Sequence, residues 1–177
     1  MSASSKTEVL ANISTTIVAV LLSVVLVKQF LLPQAHPARP PAGPPVAKGT
    51  NLKSSLPGVD WARNGRTLVL AISTQCHFCT DSAPFFQRLN KEVGNGVKLL
   101  AVLPQPLPDS HQYLEKLGVH VDDIRQGPLN AIGVHGTPTL MLVDKTGIVD
   151  DVWEGKLKPD QEEQVLTALK NGPSADK

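Results

Sequence analysis

The two cysteines of this chain, Cys76 and Cys79, stand three positions apart directly behind Thr67-Leu68-Val69-Leu70-Ala71-Ile72, and that junction constrains the fold more than any other feature. A short apolar run of this kind predicts a central strand buried on both faces. Behind the cysteines, Phe86, Leu89 and Val93 recur at helical spacing until Gly94-Asn95-Gly96 ends the pattern. The pair therefore sits where a strand gives way to a helix. A structural disulfide framework would spread its cysteines over distant loops, and a four-ligand zinc ribbon would need more of them. His77, His111, His120 and His135 lack the spacing of a His pair that would complete a zinc site, so no metal is expected.

At a strand-to-helix junction the first sulfur lies against unpaired backbone N–H groups, which favour an anion. Cys76 is thus the expected nucleophile, and Cys79, one turn on, can close a disulfide with it from inside the helix. His77, when protonated, can add positive charge beside the Cys76 thiolate, and Phe78 completes the interior of the motif. The redox equivalent is then the Cys76–Cys79 disulfide itself, with no separate cofactor.

The rest of the globular part follows an alternating order. Val97–Leu103 reads as a second buried strand, and a helix capped by Asp109 or Ser110 runs to Leu117 and closes at Gly118. Residues 119–135 suggest one short strand and a short helix after Pro128. Thr139–Val143 and Ile148–Trp153 flank a Lys145-Thr146-Gly147 turn as a hairpin, and a last helix opens at Pro159 and stops at Asn171-Gly172. The expected class is α/β, a mixed central sheet flanked by helices.

In front of this domain lies a different kind of sequence. Residues 9–27 carry no charge between Glu8 and Lys28, and with Phe30, Leu31 and Leu32 the stretch is long enough to cross a bilayer as a helix. Six prolines at positions 33, 37, 40, 41, 44 and 45 then favour a semi-rigid spacer, on the order of 50 Å if extended. The predicted organisation is a short tail over 1–8, a signal-anchor helix over 9–32, a proline-rich linker over 33–49, the globular domain over 50–172 and a tail over 173–177. Residues 50–177 hold 13 Lys or Arg against 15 Asp or Glu, so a nucleic-acid partner has no electrostatic support.

Residues 50–170 resemble the thioredoxin superfamily, in particular its membrane-anchored TlpA and redoxin-like thiol–disulfide oxidoreductases. The resemblance rests on the strand feeding Cys76-His77-Phe78-Cys79, on Pro84 five residues beyond Cys79, on Gly136-Thr137-Pro138-Thr139 and on the hairpin that follows. It implies a thioredoxin-like fold, a cis peptide bond before Pro138, and Thr137 and Pro138 as the residues that pair with a substrate chain by strand addition. The long interval from Cys79 to Pro138 suits the extra strand–helix insertion of that branch. Its departures are Gln75 before the first cysteine and Leu70 where thioredoxins bury an acid.

The implied activity is disulfide exchange with protein thiols and a redox partner protein, on a single-pass membrane protein whose domain lies outside the cytoplasm. Lys28, Arg39 and Lys48 after the span, against Lys6 before it, would by themselves favour the opposite orientation. Two alternatives share the motif. Ser73-x-x-Cys76 matches half of a peroxiredoxin signature, and a Sco-type copper protein would add His135 to the two cysteines.

Overall fold

The computed structural model describes residues 16–23, 44–93 and 96–170. Contacts divide the chain into one unit over Met1–Pro41 and another over Ala42–Lys177. Of the first, residues 16–23 are helical and exposed. Among the described residues no helix is long and apolar enough to cross a membrane; the predicted span over 9–32 lies largely outside them. The predicted tails over 1–8 and 173–177 lie outside them altogether.

The second unit runs α1 (Trp61–Asn64), β1 (Arg66–Ala71), α2 (His77–Asp81), α3 (Ala83–Glu92), β2 (Val97–Leu103), α4 (Leu107–Leu117), β3 (Asp123–Gln126), a 3-10 turn (Leu129–Ile132), β4 (Thr139–Val143), β5 (Val149–Glu154) and α5 (Pro159–Lys170). The sheet order is β3-β2-β1-β4-β5. Strands β1, β2 and β3 are parallel neighbours, and β4 and β5 close the other side antiparallel. The mixed sheet expected from the sequence is present. So are the short strand and short helical turn placed between 119 and 135.

The apolar strands alternate between two cores. Leu68, Leu70 and Ile72 share one cluster with Leu99, Ala101, Leu140 and Leu142, together with Phe86 and Leu89 of α3, Leu114 and Leu117 of α4 and Val165, Leu166 and Leu169 of α5. Val69 and Ala71 face the other way, with Leu100, Val102, Met141 and Val143. The direction of the crossovers explains the asymmetry. The β1–β2 and β2–β3 crossovers step the same way along the sheet, and a single hand of crossover then lays both helices on one face.

Among the described residues the second face has no long helix. It is covered by Leu52, Leu56 and Trp61, which reach it from the segment ahead of β1, and by Ile132 and Val134. That segment is tied down by its backbone: Gly49 N–H donates to Val149 O (2.7 Å), Val149 N–H to Thr50 O (2.9 Å) and Leu52 N–H to Gly147 O (2.8 Å). Val46 also packs there, and its N–H donates to Gly133 O at 2.8 Å. The folded unit thus takes in residues 44–49, which their proline content had placed in the linker. Polyproline geometry leaves carbonyls and the non-proline N–H groups free to bond outward, and here the domain uses them.

Candidate functional site

Cys76 is the N-cap of α2, with an extended backbone (φ −93°, ψ 111°). Its sulfur accepts the Cys79 N–H at 3.2 Å, an amide of the first turn that is shared with Cys76 O. On the other side the Cys76 thiol donates to Thr137 O at 3.1 Å. The Thr137–Pro138 peptide is cis, as the resemblance implied, and Pro138 is buried. Four of the expected site residues therefore meet at one point: Cys76, Cys79, Thr137 and Pro138.

Both cysteines are free thiols, and they differ in environment. Cys76 is half-buried, whereas Cys79 is 0% exposed among Leu68, Leu70, Ile72 and Phe86. Burial pushes the Cys79 thiol up to about 12; its hydrogen bond and charge interaction with Cys76 act in the same direction. Deprotonating Cys79 is costly because a charge would form in an apolar pocket. Leu70 belongs to the same buried cluster as Cys79.

The short helix carrying the pair ends early. Pro84 has no N–H to give to Thr80, so the helix breaks at Ser82, whose Oγ donates to Phe78 O (2.8 Å), and α3 starts afresh with Pro84 in its first turn. A single helix through residue 93 was the sequence expectation. The observed pair of helices, α2 and α3, is the consequence of the proline already identified.

His77 and Phe78 lie outward. The His77 side chain is 81% exposed, and its Nε2 sits 3.4 Å from Asp81 Oδ2, which also accepts from Lys156 Nζ at 3.0 Å. Lys156 holds the Asp81 carboxyl below its ordinary range, with His77 adding to the effect. His77 thus has a carboxylate partner on its own helix. Phe78 is 55% exposed, the most exposed large apolar side chain of this unit.

Several supporting residues were not expected at the site from the sequence. The Gln105 amide donates to Ser73 Oγ (3.0 Å) and accepts from Thr74 N–H (3.3 Å), gripping the turn that delivers Cys76. Ser110, fully buried, donates to Gln105 O. Tyr113 hydroxyl pairs with Thr80 Oγ1 at 3.2 Å, and burial pushes the phenol up. These groups converge because the C-terminal ends of β1 and β2 are adjacent, which is a property of topology and not of local pattern. His135 does not join the cysteines in a ligand set: among the described residues no three His, Cys, Asp or Glu side chains are grouped to hold a metal.

A central parallel strand running into Cys-x-x-Cys, a helix broken by proline and a cis-proline loop facing the first sulfur define a thioredoxin-like fold. Solved structures share it. A putative thiol:disulfide interchange protein DsbE from Chlorobium tepidum aligns with a TM-score of 0.52 at 20% identity, over 70% of this chain and 99% of that one. The thioredoxin domain of a thiol-disulfide oxidoreductase from Bacteroides vulgatus aligns at 0.51 and 17% identity, over 71% and 93%. StoA from Bacillus subtilis aligns at 0.50 and 17% identity, over 74% and 100%. At these identities the likeness is one of fold. No protein-family model matches the chain, and no curated protein does.

Proposed function

We propose that this chain is a thiol–disulfide oxidoreductase that exchanges disulfides with protein substrates through Cys76 and Cys79. The observation that carries the reading is the asymmetry of the pair: an accessible Cys76 sulfur held between the Cys79 N–H and Thr137 O, and a Cys79 sealed behind it. In the reducing direction the Cys76 thiolate attacks a substrate disulfide, forming a mixed disulfide and expelling one substrate thiolate, which takes up a proton. Cys79 then loses its proton and attacks Cys76 Sγ, releasing the second substrate thiol and leaving the Cys76–Cys79 disulfide. The oxidising direction is the reverse, and a partner dithiol or disulfide protein resets the centre. Thr137 and Pro138 pair with the substrate backbone, while His77, with Asp81 beside it, and Phe78 tune the motif.

The same reading places the domain outside the cytoplasm on a helical anchor over 9–32, supported by the uncharged stretch and the proline-rich segment behind it. A membrane tether suits an exported exchange enzyme that must stay near a membrane-borne redox donor.

Purified chain should reduce or oxidise a disulfide-bonded protein substrate, with Cys76→Ala abolishing turnover and Cys79→Ala accumulating a mixed disulfide. Turnover that survives Cys76→Ala would end the proposal. Rapid peroxide consumption by Cys79→Ser, with no protein disulfide exchange, would favour a peroxidase instead. Alkaline phosphatase and fluorescent protein fused after residue 60 test the anchor. Activity of only the fluorescent fusion would overturn the external location.

A further inference from the structure

The loop from Gly133 to Pro138, which brings Thr137 to Cys76, is held at both ends by neighbouring backbone. At its far end Gly155 N–H donates to Pro138 O (2.7 Å), and Thr139 Oγ1 closes back onto Gly136 O (2.8 Å). At its near end the support comes from a distant part of the chain. Val46 N–H donates to Gly133 O at 2.8 Å, and Val46 packs in the same cluster as the buried Val134.

The approach at Gly133 is close. A Cβ there would stand 2.8 Å from Val46 N and 3.0 Å from Pro44 O, both backbone atoms that cannot swing aside. Gly133 itself caps the 3-10 turn in a left-handed conformation (φ 73°), and its N–H returns to Asn130 O. Glycine is therefore required twice, for its φ and for the chain lying across it. The strap is made by Pro44-Pro45-Val46, whose fixed proline φ angles leave it little freedom to follow a moving loop.

We propose that Pro44–Val46 is a positioning element for Thr137: by pinning Gly133, the root of the proline-rich segment sets the start of the loop that faces Cys76. The inference rests on the reading of Thr137 as the residue that pairs with substrate. Its consequence is that the point where the N-terminal segment enters the domain and the point where substrate docks belong to one backbone-linked unit, with only Val134, His135 and Gly136 between Gly133 and Thr137. The strap touches neither cysteine, so it should affect docking and leave the redox couple alone.

The test compares Val46→Pro, which removes the N–H donor, with Val46→Ala, which keeps it and trims the side chain, both in the full chain. Hydrogen exchange at the Gly133 and Val134 amides, which donate to Asn130 and Leu129, should be about threefold to tenfold faster in Val46→Pro than in Val46→Ala, the range expected for losing one neutral hydrogen bond. The Thr137 amide resonance should move in the first variant only. With a cystine-containing peptide as substrate, KM should rise by about the same factor while kcat and the reduction potential stay fixed. Equal exchange and unchanged Thr137 resonances in the two variants would overturn the proposal, as would a KM that stays put while the amides open. If Val46→Pro does not fold, the Pro44→Gly/Pro45→Gly double variant loosens the strap with the donor intact and should move the same amides in the same direction. Failure of the wild type to exchange any peptide disulfide would sink the functional reading alone, because the amide and resonance measurements need no activity.

Discussion

The buried thiol offers the sharpest quantitative test. Cys79 is 0% exposed, and its thiol is pushed up to about 12, chiefly by burial and then by Cys76. Alkylation proceeds through the thiolate, so at pH 8 about one Cys79 in 10⁴ is reactive at any instant. An ordinary exposed thiol is roughly a quarter ionised at the same pH, which separates the two by about three orders of magnitude before any steric protection is counted. The assay is iodoacetamide labelling of the reduced full chain between pH 6 and 10, quenched in time and read at each cysteine by mass spectrometry, with an unstructured cysteine peptide as reference. Cys79 should label at least 10³-fold more slowly than the peptide at pH 8, with its rate rising about tenfold per pH unit. In Cys76→Ser the neighbour's hydrogen bond and charge are removed while burial remains, so the Cys79 rate should climb yet stay well below the peptide's. Labelling of Cys79 within tenfold of the peptide at pH 8 would refute the account of a sealed second thiol. The same proton has a stability consequence. A thiol raised in the folded state stabilises the reduced form below the ordinary thiol value of 9.0, and that contribution is lost as pH climbs towards about 12, whereas the disulfide form has no such group to lose.

Four further outcomes follow from the geometry. Phe86→Ala, which empties a site only 1% exposed in the core behind Cys79, should cost about 3–5 kcal/mol in urea unfolding, and a cost under about 1 kcal/mol would contradict the packing described. Gly147→Ala should lower Tm more than Gly155→Ala: both have positive φ, but only at Gly147 would the new Cβ meet the Trp61 ring at 3.3 Å, while Gly155 has open space. His77→Ala should lower the reduction potential by about 30 mV, because it removes a ring that can carry positive charge beside the motif; an unchanged potential would mean that Asp81, 3.4 Å from His77 Nε2, offsets that charge and that His77 does not tune the centre. Asp122 experiences a burial effect that raises its carboxyl and larger combined lowering from Lys98 and the Leu99 N–H, so the net shift is downward. Its contribution is present above the ordinary carboxylate value and fades as pH falls through the lowered one, so the destabilisation caused by Asp122→Asn should shrink in acid, as thermal melts from pH 7 to 3 would show.

What could be inferred without coordinates was whatever is encoded locally. Thr67–Ile72 announced a two-sided strand because both of its faces are in fact buried, and Cys76 and Cys79 followed it at once. The bounds of Val97–Leu103 came out as expected for the same reason. Pro84 signalled the break in the redox helix, though the sequence reading carried one helix through it. Illegible were the contacts made across the chain. Gln105 looks like an ordinary loop polar, and Ser110, expected as a helix cap, lies inside α4, which starts earlier at Leu107 behind Pro106; the hydrogen bonds of both depend on the sheet setting β2 beside β1. Leu52 and Leu56, on irregular backbone held by Gly147 and Val149, and Trp61, on the one-turn helix α1, show no strand or helix period, although they cover a sheet face. The proline content of residues 33–49 concealed that its last members belong to the fold, because a polyproline pattern reports backbone stiffness and says nothing of what lies beside it.

The irregular cover on the second face has a consequence for how the molecule comes into being. A chain is made from its N-terminus, yet the partners of residues 46–52 are Gly133, Gly147, Ile148 and Val149, on the order of 90 to 100 residues later. The part of the domain that emerges first is therefore the last to find its place. Until the β4–β5 hairpin is made, Val69, Ala71, Leu100 and Val102 have no lid on that side, and the growing chain carries an open apolar sheet.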